Sequence, residues 1–371
     1  MPRHNCRYTG RASPHQTRHQ RLLTSLLNNI MSPTIRIAAC HASPVVLSAA
    51  KTTRKCITFI EEAASNGAHL VIFPETYIPA FPIWSSILPP VDNHDLFARM
   101  ARESVYIDGE EINVIRYTAK EKGIFVSVGI SERVRYSSAT LFNTNLIISD
   151  NGEILVHHRK MMPTFFEKLT WSPGDGHGLR VVDIASSCKL GALICGENTN
   201  PLARYAMMAQ GEQLHISTWP PIWPTRDPTV AATANYDNVA ANRTRAAAHC
   251  FEAKCFGVLC AGHLDSAAAD AIASASSNPD LVRKIIDNSP LGASMFLDPN
   301  GALTPGFIIK SGEKQKKDYM QDEEGILYAD LDLEKCVEGK QYHDVVGGYQ
   351  RLDIFDLKVD RSRRDPATFS D

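Results

Sequence analysis

Three stretches of this chain each end an apolar run on a side chain that can do chemistry. Gly191-Ala192-Leu193-Ile194-Cys195-Gly196-Glu197-Asn198-Thr199-Asn200-Pro201 stops at a thiol, bends at a glycine and begins a helical stretch near Asn200. His69-Leu70-Val71-Ile72-Phe73-Pro74-Glu75-Thr76 delivers a carboxylate just past a strand. His157-His158-Arg159-Lys160-Met161-Met162-Pro163-Thr164 closes a strand starting near Ile154 with a basic cluster and a proline. A thiol between a strand end and a helix amino terminus would face unpaired amide groups, which favour the thiolate. Each piece alone has a plainer reading: Cys195 as a small buried hydrophobe, Glu75 as a turn carboxylate, Lys160 as a solvated surface charge. Together they supply a nucleophile, a base and a cationic stabiliser, the set that acyl-type chemistry on a thiol requires.

The elements that must position these groups are legible from periodicity and turn residues. Thr34–Cys40 alternates as a strand should, and a helix over about 46–65 ends at Asn66-Gly67. A strand over 68–73 leads to Glu75, a proline-rich loop covers 78–91, and helices are expected over 93–104 and 111–121. Strands at 124–130, 141–149 and 153–158 follow, the last two joined by the hairpin signal Ser149-Asp150-Asn151-Gly152. The second half repeats the layout. Strands are expected at 179–184, 189–194 and 213–217, helices at 200–210 and 228–254, and further strands at 255–261, 294–297 and 325–331. Sites in open α/β sheets form at the carboxyl ends of strands, where all three reactive groups would sit. Alternating strands and helices in both halves argue for two sheets covered by helices. The Ala/Ser-rich stretch 265–278 shows no core pattern and reads as a mobile surface loop, and the charged tail after Asp356 is expected to leave the globule.

Composition narrows the partners. At 371 residues the chain can bury a substantial core, with the usage of an ordinary soluble globular protein. The first thirty residues carry Arg3, Arg7, Arg11, Arg18 and Arg21 and no acid; setting those five aside from the net charge of −2 leaves the rest near −7. An acidic body argues against nucleic acid as a partner. Residues 1–30 read as a disordered basic extension, compatible with a mitochondrial transit peptide or with an upstream start before Met31. Nine cysteines without paired spacing suit reduced thiols in an intracellular, cytoplasmic setting. His249, Cys250, Cys255 and Cys260 invite a zinc reading, but their five-residue spacing suits core packing better. No apolar run is long enough to cross a membrane.

Phe73-Pro74-Glu75, the run from His158 to Thr164 with Glu167, Trp171 and Gly174-Asp175-Gly176 downstream, and Ile194-Cys195-Gly196-Glu197-Asn198 resemble the three signature blocks of the nitrilase superfamily, in order and in spacing. The resemblance runs from about residue 35 to 355. It is greatest to the nitrilase branch, and to fungal arylacetonitrilases through Asn198–Tyr205, Ile216-Ser217-Thr218-Trp219-Pro220 and Trp223-Pro224-Thr225. It implies a four-layer α–β–β–α sandwich spanning residues 31–356, followed by a charged tail at 357–371. It also implies a Glu75, Lys160 and Cys195 triad, with Glu167 as the additional carboxylate that holds Lys160. The implied reaction converts a small-molecule nitrile to carboxylic acid and ammonia through a thioimidate and a thioester, with some amide as a by-product, and needs neither metal nor organic cofactor. Self-association into dimers and spirals is implied as well.

Many relatives carry tryptophan where this chain has Gly196. Its absence either opens room for an aryl group or merely allows the backbone to turn. Trp219 is expected to bind substrate beside Gly196, and Trp84 and Trp223 could line the same pocket. Leu352 replaces a proline usual in nitrilases, and Lys51, Arg54 and Lys55 make the first helix unusually basic. The competing readings are a cyanide hydratase, an amidase, and a filament-forming scaffold whose site has decayed.

Overall fold

Side chains in the first strand alternate between two cores, and the architecture follows from that alternation. In the computed structural model, residues 34–224, 226, 227, 235, 237–364, 366, 367 and 370 are described; the basic extension at 1–30 lies outside them. Strand β1 (Thr34–His41) sends Ile35, Ile37 and Ala39 to one face and Ala38 and Cys40 to the other. The inward set meets Leu190, Ala192, Leu214, Ile216, Val258 and Phe296 of a second sheet, giving a shared central core. The outward set packs on helices α1 (Ala49–Ser65) and α2 (Glu110–Lys122) through Cys56, Ile60, Ile112 and Ile115.

Among the described residues the first sheet has eight strands. At its centre β1 lies parallel to β2 (Leu70–Ile72), which lies parallel to β3 (Phe125–Arg133). Beyond β3 come antiparallel β4 (Leu141–Ile148) and β5 (Ile154–Arg159). The second sheet has seven strands among the described residues, its centre being parallel β6 (Cys188–Ile194), β7 (Leu214–Trp219) and β8 (Phe256–Ala261). Helices α3 (Pro201–Met208) and α4 (Asn238–Ala253) cover its outer face through Ala203 and Met207, and Ala246 and Cys250. These are the four layers expected from the resemblance. Sheets pack this way because the central strands bury both faces, one against the other sheet and one against helices.

Two expectations change. The stretch 265–278 is not a loop: α5 (Ser266–Ser274) is capped by Asp265, whose side chain accepts from the Ala268 amide at 2.7 Å. Its Ala269, Ile272 and Ala273 are buried in a cluster with Phe81 and Trp223, and Ala268 is buried as well. Alanine methyls at helical spacing fill a core that a search for large apolar residues overlooks, and α6 (Pro279–Asp287) follows directly. The described part of the tail, moreover, stays on the body as far as Arg363. Arg363 donates to Asp175 at 2.8 Å and to the Nδ1 of His157 at 2.8 Å, and Val359 packs against Leu179 and Met161. The long helix expected from 228 begins at Asn238; most of the preceding positions lie outside the described residues. Among the described residues, no helix is long and apolar enough to cross a membrane. Cys250, Cys255 and Cys260 are packed into three separate hydrophobic clusters.

One close approach ties the fold to the chemistry. The backbone of Pro74, Glu75 and Thr76 lies on Gly129 of β3, where a Cβ would stand against the Pro74 carbonyl oxygen and 2.5 Å from the Thr76 amide. Both obstacles are backbone, so they yield only if the whole loop moves. Gly129→Ala is therefore expected to cost about 1–3 kcal/mol, the usual scale of overpacking, read by urea titration.

Candidate active site

Each reactive side chain stands one to three residues beyond a strand. Glu75 follows β2, Lys160 follows β5 and Cys195 follows β6. Face-to-face packing of the sheets brings these ends together. Lys160 is fixed by its backbone: its amide donates to the Asn143 carbonyl at 2.7 Å and its carbonyl accepts from Gly174 at 2.8 Å. Its Nζ donates to Glu75 Oε1 at 2.8 Å and to both Glu167 oxygens at 2.9 and 2.7 Å. All three ammonium protons are thus engaged. The Cys195 sulfur and carboxylate oxygens of Glu75 and Glu167 lie within 4.8 Å of one another. The four side chains expected to act together are brought together.

Electrostatics follows from burial. Glu75, Lys160 and Glu167 have almost no exposed surface, and Cys195 keeps 5%. Burial pushes Glu75 up to about 7; Lys160 opposes that rise and Glu167 adds to it. For Lys160 burial works against the charge, but Cys195, Glu167 and Glu75 more than compensate and hold its ammonium well above the usual lysine range. The Cys195 thiol is driven well above its ordinary value by burial and by Glu75, with Lys160 pulling the other way.

The helix expected to favour the thiolate plays little part. Cys195 opens a short 3₁₀ turn (Cys195–Thr199), and α3 starts only at Pro201. The first amides of α3 are already satisfied, since Asn200 Oδ1 accepts from Leu202 and Ala203. The positive group beside the sulfur is Lys160.

Several supporting residues had no assigned task, Asn143 in the middle of β4 and the others within the recognisable stretches. Asn143 donates to Glu75 Oε1 at 2.7 Å and accepts from Thr76 at 3.1 Å. Glu75 Oε2 has no hydrogen-bond partner, so one oxygen of this buried carboxylate is available to take a proton. Glu197 spans the two sheets: its oxygens accept from the amides of Met161 at 2.6 Å and Ile194 at 2.9 Å, and from His158 at 2.8 Å. Burial resists charging Glu197, but His158 and those amides hold its carboxyl below the usual range. Thr164 and Glu167 form a capping box on the turn Phe165–Leu169, with the Thr164 amide donating to Glu167 Oε2 at 2.9 Å. Their shared signal is the density of polar residues right after apolar runs.

The expected substrate-binding residues have defined surroundings. Trp219 packs with Cys195 and Ile194, donates from Nε1 to Ser217 at 3.2 Å and lies under the Arg245 guanidinium. At Gly196 a Cβ would come within 2.6 Å of the Thr164 hydroxyl, and its φ is not in the left-handed region. The space a side chain would need at its Cβ is occupied by the loop that carries Lys160 and Glu167. Trp84 and Trp223 belong to a different cluster, with Phe81, Phe166 and Trp171. A crevice of about 10 Å³, room for one water, reaches Glu75 between Pro44, Val46, Phe81, Pro221 and Ile272.

A carbon–nitrogen hydrolase family model matches residues 36–341. An arylacetonitrilase from Hypocrea virens is 30% identical over 326 residues, which is 88% of this chain and 91% of that protein. An aliphatic nitrilase from Rhodococcus rhodochrous is 33% identical over 336 residues, 90% of this chain and 84% of that one. Among solved structures, Saccharomyces cerevisiae Nit3, a member of branch 10 of the nitrilase superfamily, matches with a TM-score of 0.61 at 18% identity. It covers 88% of this chain and 98% of its own, a likeness of fold.

The ion cluster makes its own test. Lys160→Met leaves two buried carboxylates facing each other, which is expected to cost about 3–5 kcal/mol at neutral pH. Without the ammonium, Glu75 loses the group that opposes its rise on burial and titrates above its unfolded value. The loss should therefore be smallest near pH 5 and grow toward pH 8, as read by denaturant midpoints across that range.

Proposed function

The chain belongs to the carbon–nitrogen hydrolase family, in its nitrilase branch, and from that premise we propose that it hydrolyses organic nitriles to carboxylic acid and ammonia. The observation that carries the reading is the buried meeting of Cys195, Glu75, Lys160 and Glu167. A nitrile carbon is a weak electrophile, so a sulfur nucleophile and covalent attachment divide one hard reaction into easier ones. Glu75 Oε2 takes the thiol proton as the sulfur bonds to the nitrile carbon. The C≡N bond becomes C=N, and the nitrogen takes that same proton from Glu75 to give a thioimidate, which restores the carboxylate. Water activated by Glu75 adds to that carbon, the C–N bond breaks and ammonia leaves, and a thioester remains. A second water breaks the C–S bond, releasing the acid and restoring the thiol.

Lys160 has no spare N–H, so it acts by its charge, lowering the energy of the anionic stages in a water-poor site. Glu167 keeps that ammonium in place. Arylacetonitriles are the favoured substrates. Support comes from the apolar crevice beside Glu75, from Trp219 beside the sulfur, and from arylacetonitrilases among the relatives. The site is nearly closed, so an aryl ring enters only as neighbouring side chains move aside. The same reading includes self-association into dimers and spirals.

A panel of phenylacetonitrile, phenylacetamide and hydrogen cyanide tests the function. Ammonia and phenylacetic acid from the nitrile are expected, and Cys195→Ala should abolish them while circular dichroism is unchanged. Ammonia from the amide alone would make the protein an amidase. Cyanide consumed without ammonia would make it a hydratase, and no turnover of any of the three would favour a scaffold.

The pH profile tests the base separately. Glu75 must be ionised to take the thiol proton, and its carboxyl lies at about 7. kcat/KM is expected to fall about tenfold per unit on the acid side of that value. The limb belongs to the coupled site as a whole, and an activity flat from pH 5 to 8 would remove Glu75 from the role.

A further inference from the structure

Beneath the nucleophile lies a second buried cluster that the proposed reaction does not use. Glu212, in the turn before β7, His215 on β7 and His249 on α4 are all fully enclosed. Glu212 Oε1 lies 2.7 Å from His215 Nδ1, and Oε2 lies 2.7 Å from His249 Nε2. The two imidazoles stack at 3.7 Å. His215 Nε2 continues outward to Asn198 Oδ1 at 2.9 Å. The Asn198 amide then donates to the carbonyls of Leu193 at 3.2 Å and of Cys195 itself at 3.0 Å.

Donor and acceptor counting fixes the direction of this chain. Two carbonyls can only accept, so the Asn198 NH₂ must face them and its oxygen must face His215. His215 Nε2 therefore donates. Glu212, held down to about 2 because the two histidines outweigh its burial, is an acceptor only. His215 Nδ1 faces that carboxylate at 2.7 Å, so Glu212 anchors the ring whose Nε2 reaches Asn198. His249 donates from Nε2 and leaves Nδ1 without a partner. A metal ion would have to part these contacts, since ligands around one zinc stand about 3.3 Å apart.

The terminus of the chain of bonds is a strained residue. Cys195 has φ +48°, the left-handed region that a β-carbon disfavours, so something must hold it there. We propose that His215, anchored by Glu212, is a positioning residue for the nucleophile: through Asn198 it holds the Cys195 backbone in the conformation that aims the sulfur at Glu75. This rests on the reading of Cys195 as the nucleophile.

His215→Leu keeps bulk and removes both ring contacts, whereas His215→Gln retains an N–H for Asn198. With His215→Leu, kcat for phenylacetonitrile is expected to fall about 10- to 100-fold, the worth of one or two buried hydrogen bonds. KM should stay within about threefold, because the contact does not touch substrate. Labelling of Cys195 by iodoacetamide, read by mass spectrometry of its peptide, should slow in parallel, and His215→Gln should recover most of both. Should His215→Leu not fold, Asn198→Asp carries the same expectation, being of equal shape without the amide donors. Wild-type kcat or labelling in a folded His215→Leu or Asn198→Asp overturns the proposal, as does faster labelling or a His215→Gln no better than His215→Leu. Labelling needs no nitrile, so its contrast stands or falls even if the wild-type protein hydrolyses none.

Discussion

One ammonium between two carboxylates, in a place without water, is the constraint on which this molecule depends. Lys160 is too buried to keep its charge alone, and Glu75 and Glu167 are too close to each other to keep theirs without it. Two acids against one base leaves a surplus negative charge unless a proton stays. Glu75, pushed up to about 7, is the group that keeps or releases it near neutrality. The thiol is pushed up as well, so the sulfur keeps its proton until a substrate gives it something to bond, and the ionised Glu75 carboxylate is then at hand to take that proton. Such a site has little reactivity toward water and is primed for a substrate, because the base and the nucleophile change charge in the same step.

Keeping those charges in register requires backbone conformations that a β-carbon disfavours. Each of the three loops contains one non-glycine residue in the left-handed region: Thr76 after Glu75, Phe165 after the lysine loop, and Cys195 itself. Hydrogen bonds from buried side chains accompany each. Thr76 donates to Asn143, which also holds Glu75. Phe165 sits inside the Thr164–Glu167 capping box, and Cys195 is tied by Asn198. Glu197 then joins the lysine loop to the nucleophile strand across the two sheets. Strain of this kind persists only where the surroundings over-determine it.

Long-period features were legible in the sequence. The strands at β1, β4 and β6 and the helices α1 and α2 announce themselves by alternation, amphipathic spacing and glycine stops, and the three strand ends identify the thiol, carboxylate and amine. Pairing order was not legible, because periodicity says which face is buried and not against what. Residues 265–278 escape notice for the same reason: Ala269, Ile272 and Ala273 make a core face only because they share a cluster with Phe81 and Trp223. Glu197 and Asn198 stood inside a recognisable stretch, yet their tasks depend on Met161 and His215, from distant parts of the chain. The charged tail was read as solvated because its partner, Asp175, lies far away in sequence.

The glycine after the nucleophile shows how these levels meet. Its conformation is open to any residue, so a turn requirement does not explain it, and the space beside it is not empty. What stands there is the Thr164 hydroxyl, part of the cap that holds Glu167, which in turn holds Lys160. A larger residue would first push on the ion cluster and only then reshape a substrate cavity. Room for an aryl group must therefore come from another direction, and the apolar wall of Pro44, Val46, Phe81 and Ile272 beside Glu75 is the side of the site not tied into the charge network. Chemistry and selectivity are in this way divided between opposite walls. The polar wall cannot change without losing the charge balance, whereas the apolar wall can vary in volume at the modest cost of side-chain repacking.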